Sequence, residues 1–258
     1  MKPGRHARAP RLALWLAAVA LAGSAPSAAA APPAAAGLIE LGGGATAYVP
    51  AGAAALPPVL VLLHGAGRGG DEMVRRFQAE ADRRGILLVA PKSLGPTWDI
   101  IPALGALARA DAGPAASRIP RARAPEPSVD PPRIEAALAA LGARIGYDRG
   151  RVGLAGFSDG ASYALSYGTS RPRLFSAILA FSPGVIRLPD RTPRGQRVFV
   201  AHGRQDRALA FATTSAGIVP ALRAKRLAVT FRPFQGGHEI PDDVAAAGLD
   251  FFLGGTGR

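Results

Sequence analysis

The chain contains no cysteine among its 258 residues. This absence excludes disulfide bonds, a lipid-modified cysteine and thiolate ligands for a metal ion. An exported protein of this sequence would therefore depend on its hydrophobic core for stability. Charged residues are also few, at 19%, whereas hydrophobic residues make up 48%. This balance argues against wholesale disorder, and the length is ordinary for a single α/β domain with a sizeable core.

Acidic residues are outnumbered by basic ones, 18 against 31, which gives a net charge of +13. Almost all of the positive charge is arginine. It is scattered along the chain, without the basic runs interleaved with aromatic residues that are typical of nucleic-acid binding. We interpret these arginines as solvated surface charge, with some affinity for anionic envelopes, and we expect no nucleic-acid partner.

The N-terminus has the pattern of a secretory signal peptide. Four basic residues and no acidic one precede or border the apolar run Leu12–Ala22, which is too short to span a bilayer comfortably. Residues 28–30 offer an A-x-A cleavage site. We predict a signal peptide over 1–30, an Ala/Pro linker over 31–37, export to the periplasm or the medium, and no stable membrane anchor after cleavage. An uncleaved N-terminal anchor is the alternative.

Residues 38–258 alternate between short apolar segments and segments of helical pattern. The run Val59–Leu63 is typical of a strand buried on both faces of a sheet, and 133–145 has the period of an amphipathic helix. The alternation predicts an α/β fold with a mostly parallel sheet and helices on both faces. Residues 102–130 depart from it: a short helix over 103–110 is followed by an aperiodic stretch, which predicts a flexible insertion and a possible lid.

A G-x-S-x-G motif centred on Ser158 lies between an apolar run and a helical segment. Strand, tight turn and helix are the context that this motif requires for a nucleophilic serine. The turn is strained, so its neighbours must be small, and glycine lacks the Cβ that would clash. The pattern predicts that Ser158 Oγ projects from the sheet beside the N–H groups that begin a helix.

A serine hydroxyl needs a base to accept its proton during attack. Of the four histidines in the chain, His238 follows the final predicted strand in a glycine-flanked loop, where its side chain can reach Ser158. We predict that it is the base. His64 precedes a glycine-rich loop and is expected to stiffen it, and His202 is expected to be structural.

The base in turn needs a carboxylate that orients it. Asp206 follows the strand after the serine unit and completes the chain order Ser158, Asp206, His238, which is the α/β-hydrolase order. Asp190 is a weaker candidate because it lies in a proline-flanked polar loop before its strand.

The glycine-rich segment 64–70 lacks the Gly-Lys-Ser/Thr of a phosphate-binding loop, and it fits an oxyanion loop instead. Trp98 lies in the loop after the next strand, as a wall of the substrate pocket or as a capping aromatic with no ligand role. The chain has no H-E-x-x-H motif, and we expect no metal and no cofactor.

Four motifs in this order resemble the phospholipase/carboxylesterase group of α/β-hydrolases, and the secreted polyhydroxybutyrate-depolymerase and feruloyl-esterase-like esterases are similar as well. The motifs are Leu63–Gly67, Gly156–Ser162, His202–Asp206 and Gly236–Ile240. The resemblance implies a catalytic triad of Ser158, His238 and Asp206, and an oxyanion hole formed by the backbone N–H groups of Ala66 and Asp159.

The expected function is therefore that of a secreted serine esterase acting on a small-molecule or polymeric ester through an acyl-enzyme. Two alternatives stay open at this point. One is a serine peptidase or amidase that uses the same three residues. The other is a non-catalytic binding protein of the envelope with an α/β-hydrolase fold.

Overall fold

The computed structural model describes Met1 and residues 36–110, 129–192 and 195–254. It contains an eight-stranded sheet with the strand order β1-β2-β4-β3-β5-β6-β7-β8. Strands β1 and β2 form a hairpin, and β2 pairs antiparallel with β4, whereas every pairing from β4 to β8 is parallel. The predicted α/β class with a mostly parallel sheet is confirmed.

The strands are β1 (Gly37–Gly42), β2 (Ala45–Val49), β3 (Val59–Leu63), β4 (Leu87–Ala90), β5 (Val152–Phe157), β6 (Ala177–Phe181), β7 (Arg197–Gly203) and β8 (Ala228–Phe234). The helices are α1 (Gly70–Arg84), α2 (Ile101–Ala110), α3 (Asp130–Arg144), α4 (Asp159–Gly168), α5 (Val219–Ala224) and α6 (Asp242–Leu253). A π-helical turn, Thr213–Ile218, leads directly into α5.

The sheet is covered on both faces because its central strands are apolar at every position. In β3, Val59, Val61 and Leu63 pack into one hydrophobic cluster, and Leu60 and Leu62 pack into another on the opposite face. The first cluster is closed by α2, α3, α4 and α5, and the second by α1 and α6. Side chains alternate between the faces of a strand, so a continuous apolar run must be buried on both sides.

Helix α1 has no capping side chain at its start, where Gly69 occupies the N-cap position. Asp71 lies in the first turn, where its carboxylate faces the helix dipole favourably and pairs with Arg75 at 2.7 Å. The helix ends at Gly85, whose φ of 63° is the left-handed conformation that favours glycine.

Several earlier predictions fall on residues outside the described ranges. They are the signal peptide, most of the linker over 31–37, and residues 111–128 of the predicted insertion. The described part of that insertion contains α2 and the first residue of α3. Among the helices in the described ranges, none combines the length and apolarity that a membrane crossing requires.

Truncating a leucine in a central strand should destabilise the fold far more than truncating one in an edge strand. Leu62 is fully buried in β3, and Leu38 in β1 is 63% exposed. We expect Leu62→Ala to lower the free energy of unfolding by about 2–5 kcal/mol through lost burial and an unfilled cavity. Leu38→Ala should change it by less than about 0.5 kcal/mol. Urea unfolding of both variants tests this, and equal losses would contradict the assigned burial.

Candidate active site

Ser158 occupies a sharp turn between β5 and α4. Its φ of 55° and ψ of −118° are strained for a residue with a side chain. The turn is held on both sides, because Ser158 N–H donates to Phe181 O at 2.9 Å and Ser162 N–H donates to Ser158 O at 3.0 Å. The half-buried serine is therefore presented at the carboxyl edge of the sheet by a backbone that cannot relax alone.

The glycines of the G-x-S-x-G motif are required by close backbone approaches. A Cβ on Gly160 would lie 2.2 Å from Leu63 O, and one on Gly156 would lie 2.1 Å from Gly160 O. The loop after β3 also lies against the turn, since a Cβ on Gly65 would lie 3.4 Å from Ser158 Cβ. A side chain at 160 would thus push the serine turn away from β3, and one at 156 would collide with the first turn of α4.

The structure brings together the three residues that the motif order predicts. His238 Nε2 lies 2.9 Å from Ser158 Oγ, and His238 Nδ1 lies 2.7 Å from Asp206 Oδ2. A carboxylate only accepts hydrogen bonds, so Nδ1 carries the proton and donates to Asp206. Nε2 is then free to accept the Ser158 hydroxyl proton. Asp190, the weaker candidate for the acid, has no part in this chain of contacts.

Asp206 is fixed by more than its histidine. Its side chain has no exposed surface, and its Oδ1 accepts hydrogen bonds from Ala208 N–H at 2.9 Å and Leu209 N–H at 2.8 Å. Burial alone would raise the pKa of this carboxyl. The bond from Leu209 and the contact with His238 outweigh burial and leave the pKa below its usual value. Asp206 is therefore an oriented anion.

His64 stiffens the loop after β3, as expected. Its Nδ1 donates to Gly65 O at 2.8 Å and its Nε2 accepts from Ser93 N–H at 3.2 Å. Trp98 does not fit the role of a pocket wall, because its side chain is completely buried. Its indole N–H donates to His64 O at 2.8 Å, so it packs behind the site as a structural aromatic.

The two residues predicted to form an oxyanion hole lie on either side of the serine turn. Asp159 is the first residue of α4, a position whose N–H has no partner within the helix. Its carboxylate accepts from Thr97 Oγ1 at 2.6 Å. Ala66 follows Gly65 in a loop that is held by a hydrogen bond from Gly67 N–H to Pro96 O at 2.7 Å.

Two clefts adjoin the residues directly before and after Ser158, which is itself in the lining of neither. One has a volume of about 300 Å³ and lies between α2 and the loop after β6, with Asp159, Ser162 and Leu209 among its lining residues. The other has a volume of about 500 Å³ and lies beside α1, with Phe157 and His238 in its wall. A molecule bound across Ser158 could therefore extend in two directions.

Two contributors to the site carry no sequence signal that we could interpret. Thr97 supports Asp159 from a loop with no regular pattern. Thr214 contacts His202 from a π-helical turn, which no hydrophobic periodicity predicts. Phe157 could have been predicted from its place directly before the motif serine, next to the predicted position of His238. Its ring lies 4.7 Å from the His238 ring.

Comparison with known proteins gives structural relatives only. No protein-family model matches the chain, and no curated protein matches it in sequence. An esterase called PE8 is 25% identical with a TM-score of 0.58, over 80% of this chain and 96% of that one. A phospholipase/carboxylesterase from Dyadobacter fermentans is 19% identical with a TM-score of 0.53, over 87% and 99% of the two chains. A carboxylesterase from Bacillus cereus is 18% identical with a TM-score of 0.55, over 81% and 93%.

The chain has the α/β-hydrolase fold. The resemblance predicted from the four motifs is confirmed, because solved esterases and carboxylesterases are its structural neighbours. Within this fold, Ser158, Asp206 and His238 follow β5, β7 and β8 and meet at one edge of the sheet.

Adding a methyl group at Gly160 should disrupt the serine turn. The new Cβ would meet the backbone oxygens of Leu63 and His64, which cannot move without shifting β3. We expect Gly160→Ala to lower the free energy of unfolding by about 3 kcal/mol. Gly237→Ala is the matched control, because a Cβ there would have no neighbour within 4 Å. Equal stability of the two variants in urea would argue against the assigned turn.

Acid should destabilise the fold through its buried histidines. Burial lowers the pKa of His64 and His202 below the ordinary value of 6.5, despite hydrogen bonds that favour the charged form. The unfolded chain therefore binds more protons as the pH falls below 6.5, and stability declines through that window. Urea unfolding between pH 8 and pH 5 should show this slope. His202→Gln should reduce it, and an unchanged slope in that variant would contradict the prediction.

Proposed function

We propose that this protein is a serine hydrolase that cleaves carboxylic esters through an acyl-enzyme intermediate. The observation that carries the proposal is the continuous contact from Asp206 through His238 to Ser158 Oγ, at 2.7 Å and 2.9 Å. The likeness to solved esterases supports ester hydrolysis as the reaction, and one of them, PE8, is 25% identical and matched over 96% of its length.

In the first half of the proposed reaction, Ser158 Oγ attacks the ester carbonyl while its proton passes to His238 Nε2. Asp206 holds the imidazole in the tautomer that can accept this proton and stabilises the charge that forms on it. The tetrahedral intermediate then collapses, the bond to the alcohol breaks, and His238 returns the proton to the leaving alcohol. Water repeats the sequence on the acyl-enzyme and releases the acid.

The negative charge of the tetrahedral intermediate needs donors that are already in place. We propose the backbone N–H groups of Ala66 and Asp159 for this role. Asp159 begins α4, so the positive end of the helix dipole adds to its N–H. A single such donor can contribute about 2.7–4 kcal/mol to the rate, so the rigidity that His64 gives to the Gly65 loop matters for turnover.

The two clefts beside Ser158 provide room for the acyl and the alcohol parts of an ester. We further propose, from the basic and apolar N-terminal segment, that the enzyme acts after export. Substrates in that setting would be small or polymeric esters.

Removing the Ser158 hydroxyl should abolish ester hydrolysis with the fold intact. We expect Ser158→Ala to reduce turnover of p-nitrophenyl acetate by about 10⁴-fold or more. Ser176→Ala, which removes an exposed serine hydroxyl before β6, should leave turnover unchanged. A fluorophosphonate probe should label the wild type and the Ser176 variant on the peptide that contains Ser158. Near-wild-type hydrolysis by the Ser158 variant would refute the proposed function.

A further inference from the structure

A second histidine contacts the carboxylate that orients His238. His202 lies at the end of β7 and has no exposed surface. Its Nε2 is 2.9 Å from Leu209 O and 3.1 Å from Asp206 Oδ2, the same oxygen that accepts from His238 Nδ1. Leu209 N–H also donates to Asp206 Oδ1, so His202 touches both the carboxylate and the turn that holds it.

The partners of His202 determine where its proton lies. Both atoms near Nε2 are acceptors, so Nε2 carries a hydrogen. It donates that hydrogen to Leu209 O, and Asp206 Oδ2 is a close electrostatic contact beside this bond. On the other side of the ring, Nδ1 is 2.7 Å from Thr214 Oγ1. The Thr214 hydroxyl is also within donating distance of Pro183 O, at 3.0 Å, and its one proton can serve only one of these two acceptors at a time. A buried neutral ring with its hydrogen on Nε2 has a bare Nδ1, so donation from Thr214 to the nearer Nδ1 is the arrangement that matches this tautomer. His202 through Nε2 and His238 through Nδ1 therefore face the same Asp206 oxygen from two sides.

The backbone around Thr214 has an uncommon helical conformation. It lies in the π-helical turn, where Val219 N–H donates to Thr214 O, five residues back. Such turns occur often at functional sites, because they displace a side chain from the helical repeat. Thr214 Oγ1 is also 3.0 Å from Pro183 O, in the loop after β6 that forms one wall of the 300 Å³ cleft.

We propose that His202 and Thr214 form a positioning relay that holds the Asp206 carboxylate in line with His238. The inference rests on the proposed function, because its effect is on the base of that reaction. Neither residue touches the reacting atoms. His202 restrains Oδ2 and the Leu209 carbonyl, and Thr214 fixes the plane of the His202 ring. Without them the carboxylate can rotate about its Oδ1 anchor, and His238 loses its orientation toward Ser158.

The test measures p-nitrophenyl acetate hydrolysis by variants of the full chain. His202→Leu removes the donor, and we expect kcat to fall about 100-fold with KM unchanged, the scale of a misplaced catalytic group. His202→Gln should restore most of kcat, because its amide N–H can replace the Nε2–H donor. Thr214→Val should lower kcat about tenfold, the effect of one lost hydrogen bond. Thr213→Val, in the same turn but outside these contacts, is the matched control and should retain full kcat.

Two further readouts separate positioning from a general structural role. In an Asp206→Ala background, His202→Leu and Thr214→Val should have no further effect on kcat, because a residue that acts through Asp206 has nothing left to orient. Proton NMR of the wild type should show a far-downfield His238 Nδ1–H signal. That signal should weaken in the Leu and Val variants and return in the Gln variant.

The outcomes distinguish this relay from the proposed function. Full kcat in His202→Leu and Thr214→Val, with an inactive Ser158→Ala, would overturn the relay alone. The relay would also be overturned if His202→Leu and Thr214→Val lowered kcat as much in the Asp206→Ala background as in the wild type. Their effect would then not depend on the carboxylate. Activity in Ser158→Ala would overturn the proposed function instead. If His202→Leu does not fold, Thr214→Val and its cycle with Asp206→Ala decide the question.

Discussion

The strained backbone at Ser158 is the constraint on which the rest of the site depends. A non-glycine residue at a φ of 55° is unfavourable by itself and persists only when its surroundings impose it. Here β3 and β5 are paired in register up to Leu63 and Gly156, and the residues beyond them pack with almost no space. The serine cannot relax without separating two central strands, so the core that stabilises the sheet also holds the serine in its turn.

Parallel topology explains how residues 80 and 32 positions apart come into contact. Strands β5, β7 and β8 all end at the same edge of the sheet, and each contributes one group just beyond its last residue. The three side chains differ in how firmly their positions are fixed. Ser158 is set by backbone strain and Asp206 by hydrogen bonds to its own turn, whereas His238 lies in a half-buried loop and depends on its two neighbours. His238 is thus the member of the three whose position is most easily lost.

The features that the sequence predicted best are those that depend on the residues of a single strand or a single turn. Val59–Leu63 predicted a strand buried on both faces, and Gly156–Gly160 predicted the serine turn, because each requires particular residue types at fixed spacing. Trp98 was ambiguous, since an aromatic residue in a loop has the same sequence pattern whether it faces a cleft or packs beneath it. The role of Thr214 could not be predicted from the sequence, because a π-helical turn depends on tertiary contacts rather than on hydrophobic periodicity.

A neutral histidine is well suited to the place that His202 occupies. In the proposed reaction, Asp206 must retain its full negative charge to stabilise the positive charge that forms on His238 during attack. A lysine or arginine at position 202 would place a permanent positive charge beside Asp206 Oδ2, and that charge would oppose an imidazolium at His238, whose Nδ1 lies 2.7 Å from the same oxygen. A buried imidazole donates through Nε2 while burial keeps its pKa low. His202 therefore restrains the Asp206 carboxylate without neutralising its charge. The burial that excludes water from His202 makes this possible, because it keeps the imidazole uncharged.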